Sequence, residues 1–232
     1  MLQSHMMTAL QHRLSQLHAQ PLLPQAHVRF LHDLAAQGVQ PTVIYDIGAC
    51  VLHWYSQAAQ VWPQADFHVL EAMHSVKFLY EEQGLKHHLG VLSNSDRRTV
   101  TFWQNEWHPG GNSYYQENAQ VNPDTVNYFT DAHKVTCAAK TLDTVIDQMG
   151  WKVPDLVKMD VQGGEWDVLQ GMTRTLPHVQ HLILELQKVE YNLGAPLASE
   201  VITWLDGQGF DCVAPLFCDA GPDGDYYFRR RS

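Results

Sequence analysis

Basic excess, paired cysteines and long apolar runs are all missing from this chain, and each absence removes a class of function. Its 232 residues hold 15 Lys and Arg against 25 Asp and Glu, a formal net charge of -10. A general nucleic-acid binder would present a basic face, so no nucleic-acid partner is expected, and Arg229, Arg230 and Arg231 read as a solvated terminus. Charged residues are only 17% of the chain and hydrophobic residues 45%, the balance of a folded globule rather than a disordered segment. The 4 cysteines, Cys50, Cys137, Cys212 and Cys218, form no CxxC pair and no zinc-ligand spacing. Free thiols in a reducing compartment follow, a Cys212–Cys218 disulfide being the less favoured alternative. No run of about 18 apolar residues exists, so no membrane span is expected. The segment MLQSHMMTALQHRLSQLHAQ lacks the basic-then-apolar layout of a secretory signal, and a cytoplasmic location is the resulting expectation. What the chain has in quantity is histidine. Its 14 imidazoles would charge as pH falls, moving the net charge toward zero and lowering solubility near the isoelectric point.

Apolar residues recur at helical spacing over 4–18 (Leu10, Leu14, Leu17) and 25–37 (Val28, Leu31, Leu34), with Pro21 and Pro24 between them and Gly38 and Pro41 after. Residues 1–40 are therefore read as a helical extension to one domain over 41–232. Strand signals follow at 43–46, 67–70, 88–92, 99–104, 134–137, 155–160, 181–186, 210–214 and 225–228. Helical patterns at 51–61, 75–83, 141–149, 164–175 and 197–208 separate most of the apolar strands. That alternation predicts an α/β fold, a mostly parallel central sheet with helices on both faces. Segment 99–137 breaks the pattern, being polar and aromatic around Pro109-Gly110-Gly111. Loops of this length are usually functional or disordered, and the aromatics argue for order, so a β-hairpin with a lid over the ligand site is expected. The last two strands, joined through PLFCDAGPDGD, read as an antiparallel pair at the edge of the sheet.

Residues 155–172, DLVKMDVQGGEWDVLQGM, are the most informative stretch. An apolar run ends in Asp160, glycines make a turn, and a helix starts with Glu165 in its first turn. Ligands of open α/β sheets bind outside such strand ends, so Asp160 is a candidate active-site residue. Upstream, Asp46-Ile47-Gly48-Ala49 follows another strand. Gly48 permits a sharp turn and the close approach of a ligand, and amides of the following helix start could receive a carboxylate or phosphate. The missing GxGxxG disfavours a nicotinamide enzyme. Glu71 ends the next strand, where an acidic residue suits both hydroxyls of a ribose. Asp46 as a turn cap and Glu71 as a surface carboxylate remain the plain alternatives. Asp143 reads as a helix cap or support, and Asp223 and Asp225 as turn residues.

With YDIGA at 45–49, VLEA at 69–72, TLD at 141–143, the 155–172 stretch and LILE at 182–185 in this order, the chain resembles the FkbM family of methyltransferases over about 43–230. The resemblance implies a Rossmann-like class I methyltransferase fold, with a mostly parallel seven-stranded sheet ending in an antiparallel edge strand. It implies S-adenosylmethionine as cofactor, contacting Asp46, Gly48, Ala49, Glu71 and Asp160, and O-methylation of sugars, polyketides or related metabolites. The implied partner is a small-molecule or glycan acceptor, and a homodimer is an allowed assembly. Two positions depart from the family pattern. Leu52 stands where a second glycine is expected and would crowd the methionine part of the cofactor; Gln162 replaces a glutamate beside Asp160. A non-catalytic relative that keeps the fold as a binding module is the alternative.

Methyl transfer to oxygen needs an in-line acceptor and a group that handles its proton. Asp160 and Glu185, at the ends of neighbouring strands, could hold a divalent cation that acidifies the acceptor; the alternative is that Asp160 orients substrate by hydrogen bonds and Glu185 pairs with Lys158 or a helix end. His108, beside the Pro-Gly-Gly turn, is the candidate base, with His53 the second choice. Asn112, Tyr114 and Tyr115 suit either a carbohydrate or internal packing.

Overall fold

The computed structural model describes residues 7–231; positions 4–6 of the first expected helix lie outside the described residues. Helix α1 (Ala9–His18) opens with a capping box in which Thr8 and Gln11 satisfy each other's backbone amides. Helix α2 (Gln25–Ala36) follows, and its buried stripe is His27, Leu31 and Leu34. Strand β1 (Val43–Ile47), helix α3 (His53–Val61), strand β2 (Asp66–Glu71), helix α4 (Lys77–Glu82) and strand β3 (Lys86–Leu89) then alternate. All five residues of β1 are buried, as befits a strand with layers on both faces.

The expected strand at 88–92 divides at Gly90. The first part is β3; the second, β4 (Val91–Leu92), leaves the main sheet to pair in parallel with β6 (Lys134–Lys140). Strand β5 (Thr99–Trp103) pairs antiparallel with β6, so 99–137 does hold a hairpin, with a long connection carrying the short helix α5 (Thr125–Tyr128). After helix α6 (Leu142–Met149) come β7 (Leu156–Met159), α7 (Glu165–Gln170), β8 (His181–Gln187), α8 (Ala198–Gly207), β9 (Phe210–Asp219) and β10 (Asp223–Arg230). The main sheet has the order β3-β2-β1-β7-β8-β10-β9. Strands β1, β2, β3, β7 and β8 run parallel, and β10 lies antiparallel between β8 and the outermost β9.

One face of the sheet presents Tyr45, Leu182 and Leu184 to α6, α7 and α8, through Val145, Val168 and Leu205. The other presents Ile44, Leu156 and Ile183 to α2 and α3, through Leu31 and Trp54. Helix α7 is shorter than the expected 164–175. It ends at Gly171, where an added Cβ would meet the Ser93 carbonyl oxygen at 2.3 Å. The turn beyond is held by Asp143, whose Oδ2 accepts the Arg174 amide and Oδ1 the Thr175 amide. The arginine terminus is not free in solvent. Arg229 and Arg230 belong to β10, the Arg230 guanidinium lies 4.2 Å over the Phe210 ring, and Arg231 pairs with Asp206 and Asp211. All four cysteines are free thiols.

Candidate active site

The carboxyl ends of β1, β2 and β7 border a cavity of about 290 Å³. Gly48, Ala49, Glu71, Asp160 and Glu185 all line it, so the sequence pattern brings these five candidates together. Asp46 is the exception. It is wholly buried, stands in register with Lys158, and lies behind the cavity wall. Neither of its carboxylate oxygens has a hydrogen-bond partner among the described residues. Burial pushes its pKa up to about 6, with the Lys158 ammonium pulling the other way.

The turn after β1 is built differently from its expected form. Gly48 has φ 78°, and an added Cβ would stand 1.7 Å from the Asp160 carbonyl oxygen, so glycine is required by the approach of the β7 turn rather than of a ligand. The Gly48 and Ala49 amides both donate to the Leu70 carbonyl, at 2.9 and 3.1 Å, and are therefore not offered to an anion. Glu71 fastens the same turn. Its Oε2 accepts the Cys50 amide and its Oε1 the Met73 amide, each at 2.9 Å. Burial raises the Glu71 pKa against the pull of these amides. Each oxygen keeps a further lone pair for a ligand hydroxyl.

Leu52 does not crowd the cavity. It takes the left-handed conformation (φ 70°, ψ 24°) that a glycine would adopt freely, at a cost of about 1–2 kcal/mol. Its side chain turns away into a buried cluster with Leu14, Met73 and Tyr80. The same geometry delays α3 to His53 instead of the expected residue 51.

At the other end of the cavity the chemistry is carried by side chains. Lys158 Nζ donates to Asp160 Oδ2 at 2.9 Å, while Gln162 Nε2 donates to Asp160 Oδ1 at 3.0 Å and to Glu185 Oε2 at 2.6 Å. Burial disfavours the Asp160 anion, but the Lys158 ammonium and these hydrogen bonds outweigh it and hold the pKa below the ordinary range. Glu185 moves the opposite way, raised well above its usual value by burial and by the Asp160 charge. The two close acids are thus pushed in opposite directions, Asp160 toward the anion and Glu185 toward the neutral acid. Glu165 is buried under this turn, accepts the Val161 amide at 2.7 Å, and is pushed by burial up to about 7. Its role is to hold the turn.

Lys158 and Gln162 were not among the expected site residues. A lysine inside the apolar run LVKM was the available signal for the first, since a fully buried lysine requires a partner. For the second the signal was its place two residues after Asp160, where it stands for a glutamate of the family pattern. His27 was also missed. It is buried at the cavity wall, donates from Nδ1 to Asp225 Oδ2 at 2.9 Å, and accepts at Nε2 the Trp54 indole N–H at 2.9 Å.

Neither acidic grouping suits a divalent cation. The Asp160–Glu185 pair already receives an ammonium and a shared amide. His27, Cys218 and Asp225 lie close enough together to be considered, but the indole occupies Nε2 and Nδ1 then carries the proton, leaving the ring no lone pair for a metal. His108 is likewise not placed on the reacting groups. Its ring is exposed, packs 4.3 Å from Tyr128, and borders a separate groove with Trp107 and Arg13. In the lid, Asn112 and Tyr114 do reach the cavity. The Tyr114 and Tyr115 hydroxyls both donate to Asp167 Oδ2, at 3.2 and 3.3 Å, and Ser113 Oγ donates to the Gln162 carbonyl at 2.7 Å. Residues 113–115 are thereby fixed to α7 and to the Asp160 turn.

The model of the methyltransferase FkbM domain matches residues 46–212, which takes in both turns and both halves of the cavity. The chain belongs to this family. No curated protein matches it significantly. The solved O-methyltransferase TomG from Streptomyces achromogenes, involved in tomaymycin synthesis and in complex with SAM, is similar at 12% identity and a TM-score of 0.53, over 98% of this chain and 92% of that one. Cofactor-bound Rv0187 from MTB is similar at 11% identity and a TM-score of 0.52, over 97% and 91%. The mitomycin 7-O-methyltransferase MmcR matches at 13% identity and a TM-score of 0.44, over 88% of this chain, which spans only 54% of that longer protein. TomG and Rv0187 establish the class I methyltransferase fold for this FkbM-family chain.

Proposed function

We propose that this FkbM-family protein transfers a methyl group from S-adenosylmethionine to a hydroxyl of a sugar or sugar-like metabolite. The observation that carries the reading is one cavity with Glu71 at one end and the Asp160–Glu185 pair at the other. When bound, the cofactor supplies an electrophilic methyl group on a sulfonium sulfur. Glu71 is suited to its ribose, because two backbone amides hold the carboxylate in place and leave lone pairs facing the cavity. Gly48 and Ala49 form the adjoining wall.

Asp160, ionised and fixed by Lys158 and Gln162, accepts a hydrogen bond from the acceptor hydroxyl and turns its oxygen toward the methyl-bearing end. Glu185, whose neutral form is favoured by burial and by the Asp160 charge, faces the same end of the cavity and can bond a second hydroxyl of the acceptor. Several carboxyl groups, and no free cation among the described residues at this end, favour a neutral polyol over a phosphorylated acceptor. In this reading residues 41–232 are the catalytic unit, helices α1 and α2 cap it, and 99–137 is the lid that excludes water.

Leu52 gives no support to the non-catalytic alternative, since its side chain is directed into the core. Titration calorimetry with S-adenosylmethionine and S-adenosylhomocysteine is the test. Micromolar binding is expected, followed by methyl transfer when sugars and polyols are screened. A folded protein that gives no heat with either compound would reject the enzymatic reading.

A further inference from the structure

The turn from Cys50 to Leu52 holds two non-glycine residues at positive φ, Cys50 at 43° and Leu52 at 70°. A turn of glycines would reach this shape without steric cost. Here the shape is held from outside. Tyr80 of α4 donates its hydroxyl to the Cys50 carbonyl at 2.7 Å, and His18 Nδ1, at the end of α1, donates to the Val51 carbonyl at 2.7 Å. The Leu52 side chain is fully buried in a cluster that includes Leu14 of α1, itself fully buried, with Leu10 and Leu17 packed beside them.

The contact is reciprocal. His53 Nε2, in the first turn of α3, bonds the Leu17 carbonyl at 2.7 Å. A carbonyl can only accept, so Nε2 carries the proton and the neutral ring keeps its lone pair on Nδ1. His53 lines the cavity, so α1 sets the tautomer of a cavity histidine as well as the backbone beside it.

We infer that α1 is a working part of the cofactor end of the cavity: Leu14 and His18 are positioning residues that hold the Cys50–Leu52 turn in its binding shape. The inference rests on the proposed binding of S-adenosylmethionine. It differs from simple anchoring of a terminal helix in one respect. Anchoring alone would tie α1 to stability; positioning ties it to ligand affinity through Leu52. With α1 undocked, Leu52 loses the Leu14 side of its apolar cover and the left-handed turn is one of several conformations, so apparent affinity falls by the fraction that remains competent.

The experiment is titration of the full chain with S-adenosylhomocysteine, with thermal denaturation of each variant to establish folding. Leu14→Ala is expected to raise Kd by roughly tenfold or more. Adding Leu52→Gly to Leu14→Ala should bring Kd back to within about threefold of the original, because glycine enters the left-handed conformation without the penalty that the cover offsets for leucine. His18→Ala, which leaves the apolar cluster whole, should raise Kd by about threefold and carries the test if Leu14→Ala does not fold. Unchanged affinity in the folded variants, or a loss that Leu52→Gly does not relieve, overturns the inference while leaving the proposed function standing. An unmodified chain that binds no S-adenosylhomocysteine overturns both.

Discussion

The two ends of the cavity are made of different material. At the Glu71 end the wall is mostly backbone, braced from behind by α1 and α4: the Gly48 and Ala49 amides close on the Leu70 carbonyl, and the Cys50 and Met73 amides on the Glu71 carboxylate. At the Asp160 end it is side chains from three strands, two helices and a turn, with Lys158, Gln162 and Glu185 around Asp160 and the Trp54–His27–Asp225 chain at the wall. Backbone contacts survive most substitutions, because every residue but proline supplies the same amide. A side-chain network fails at a single position, since each removal leaves a buried partner unsatisfied. The Glu71 end should therefore respond to substitution mainly in ligand affinity, and the Asp160 end in the stability of the fold itself.

Lys158→Met gives this contrast its severest test. The ammonium is buried, lies against Asp160, and is kept charged against burial by Asp160 and Asp46 together. Removing it strands two carboxylates, and a loss of about 3–5 kcal/mol in unfolding free energy is expected in denaturant titration. A loss under about 1 kcal/mol would mean that the two acids do not depend on this cation.

Asp46 supplies the next largest effect, and it is read through pH. Burial raises its folded pKa from 3.8 to about 6, so the folded protein keeps a proton that the unfolded chain has released across that window. The contribution to stability is complete below the lower value and is lost as pH rises through the upper one. Glu165, raised from 4.5 to about 7, acts in the same direction. The melting temperature should thus decline between pH of about 4 and about 7, and Asp46→Asn should flatten the lower part of that decline and stabilise the protein at the alkaline end by roughly 2–3 kcal/mol. An equal slope in both proteins would dismiss the titration of Asp46.

Glu71→Gln sharpens the other side of the comparison. A carboxamide oxygen can accept from only one of the two amides that Glu71 now serves, and its NH₂ faces the second. S-adenosylhomocysteine should bind more weakly by ~1–3 kcal/mol in calorimetry, with unfolding free energy shifted by less than that. A loss of stability larger than the loss of affinity would contradict the division drawn between the two ends.

The same division explains how much could be read from the sequence. The Gly48 turn, the Asp160 turn and Glu71 stand at the ends of short apolar runs, and strand-end geometry alone brings them together. What escaped depends on pairs remote in the chain. His27 and Asp225 stand on α2 and β10, and no periodicity links them. Gln162 gains its bridging role only because β8 brings Glu185 beside β7. The parallel pairing of β4 with β6 was hidden by the brevity of β4, a two-residue strand inside what reads as one continuous run. Leu52 misled for a related reason: the sequence shows a bulky residue where glycine is expected, but whether it faces ligand or core depends on the position of α1.

His108→Ala completes the series with the smallest change. Its sequence context, beside a Pro-Gly-Gly turn in the lid, suited a mobile base. The lid is instead tied down by Ser113, Tyr114 and Tyr115, and His108 lies on its outer side against Tyr128. Pro109 and Gly110 border both the cavity and the outer groove, so the chain passes the imidazole to the side away from Asp160. An exposed ring with one aromatic neighbour contributes little to either end of the cavity, and removing it should alter stability by less than about 0.5 kcal/mol. Methyl-transfer turnover and S-adenosylhomocysteine affinity should both stay within about twofold of the unmodified protein, a difference below roughly 0.5 kcal/mol. A large fall in turnover with affinity intact would place His108 back among the reacting groups. It would also require the lid to leave Asp167 during the reaction, which Asp167→Asn, by weakening the Tyr114 and Tyr115 contacts, would then accelerate.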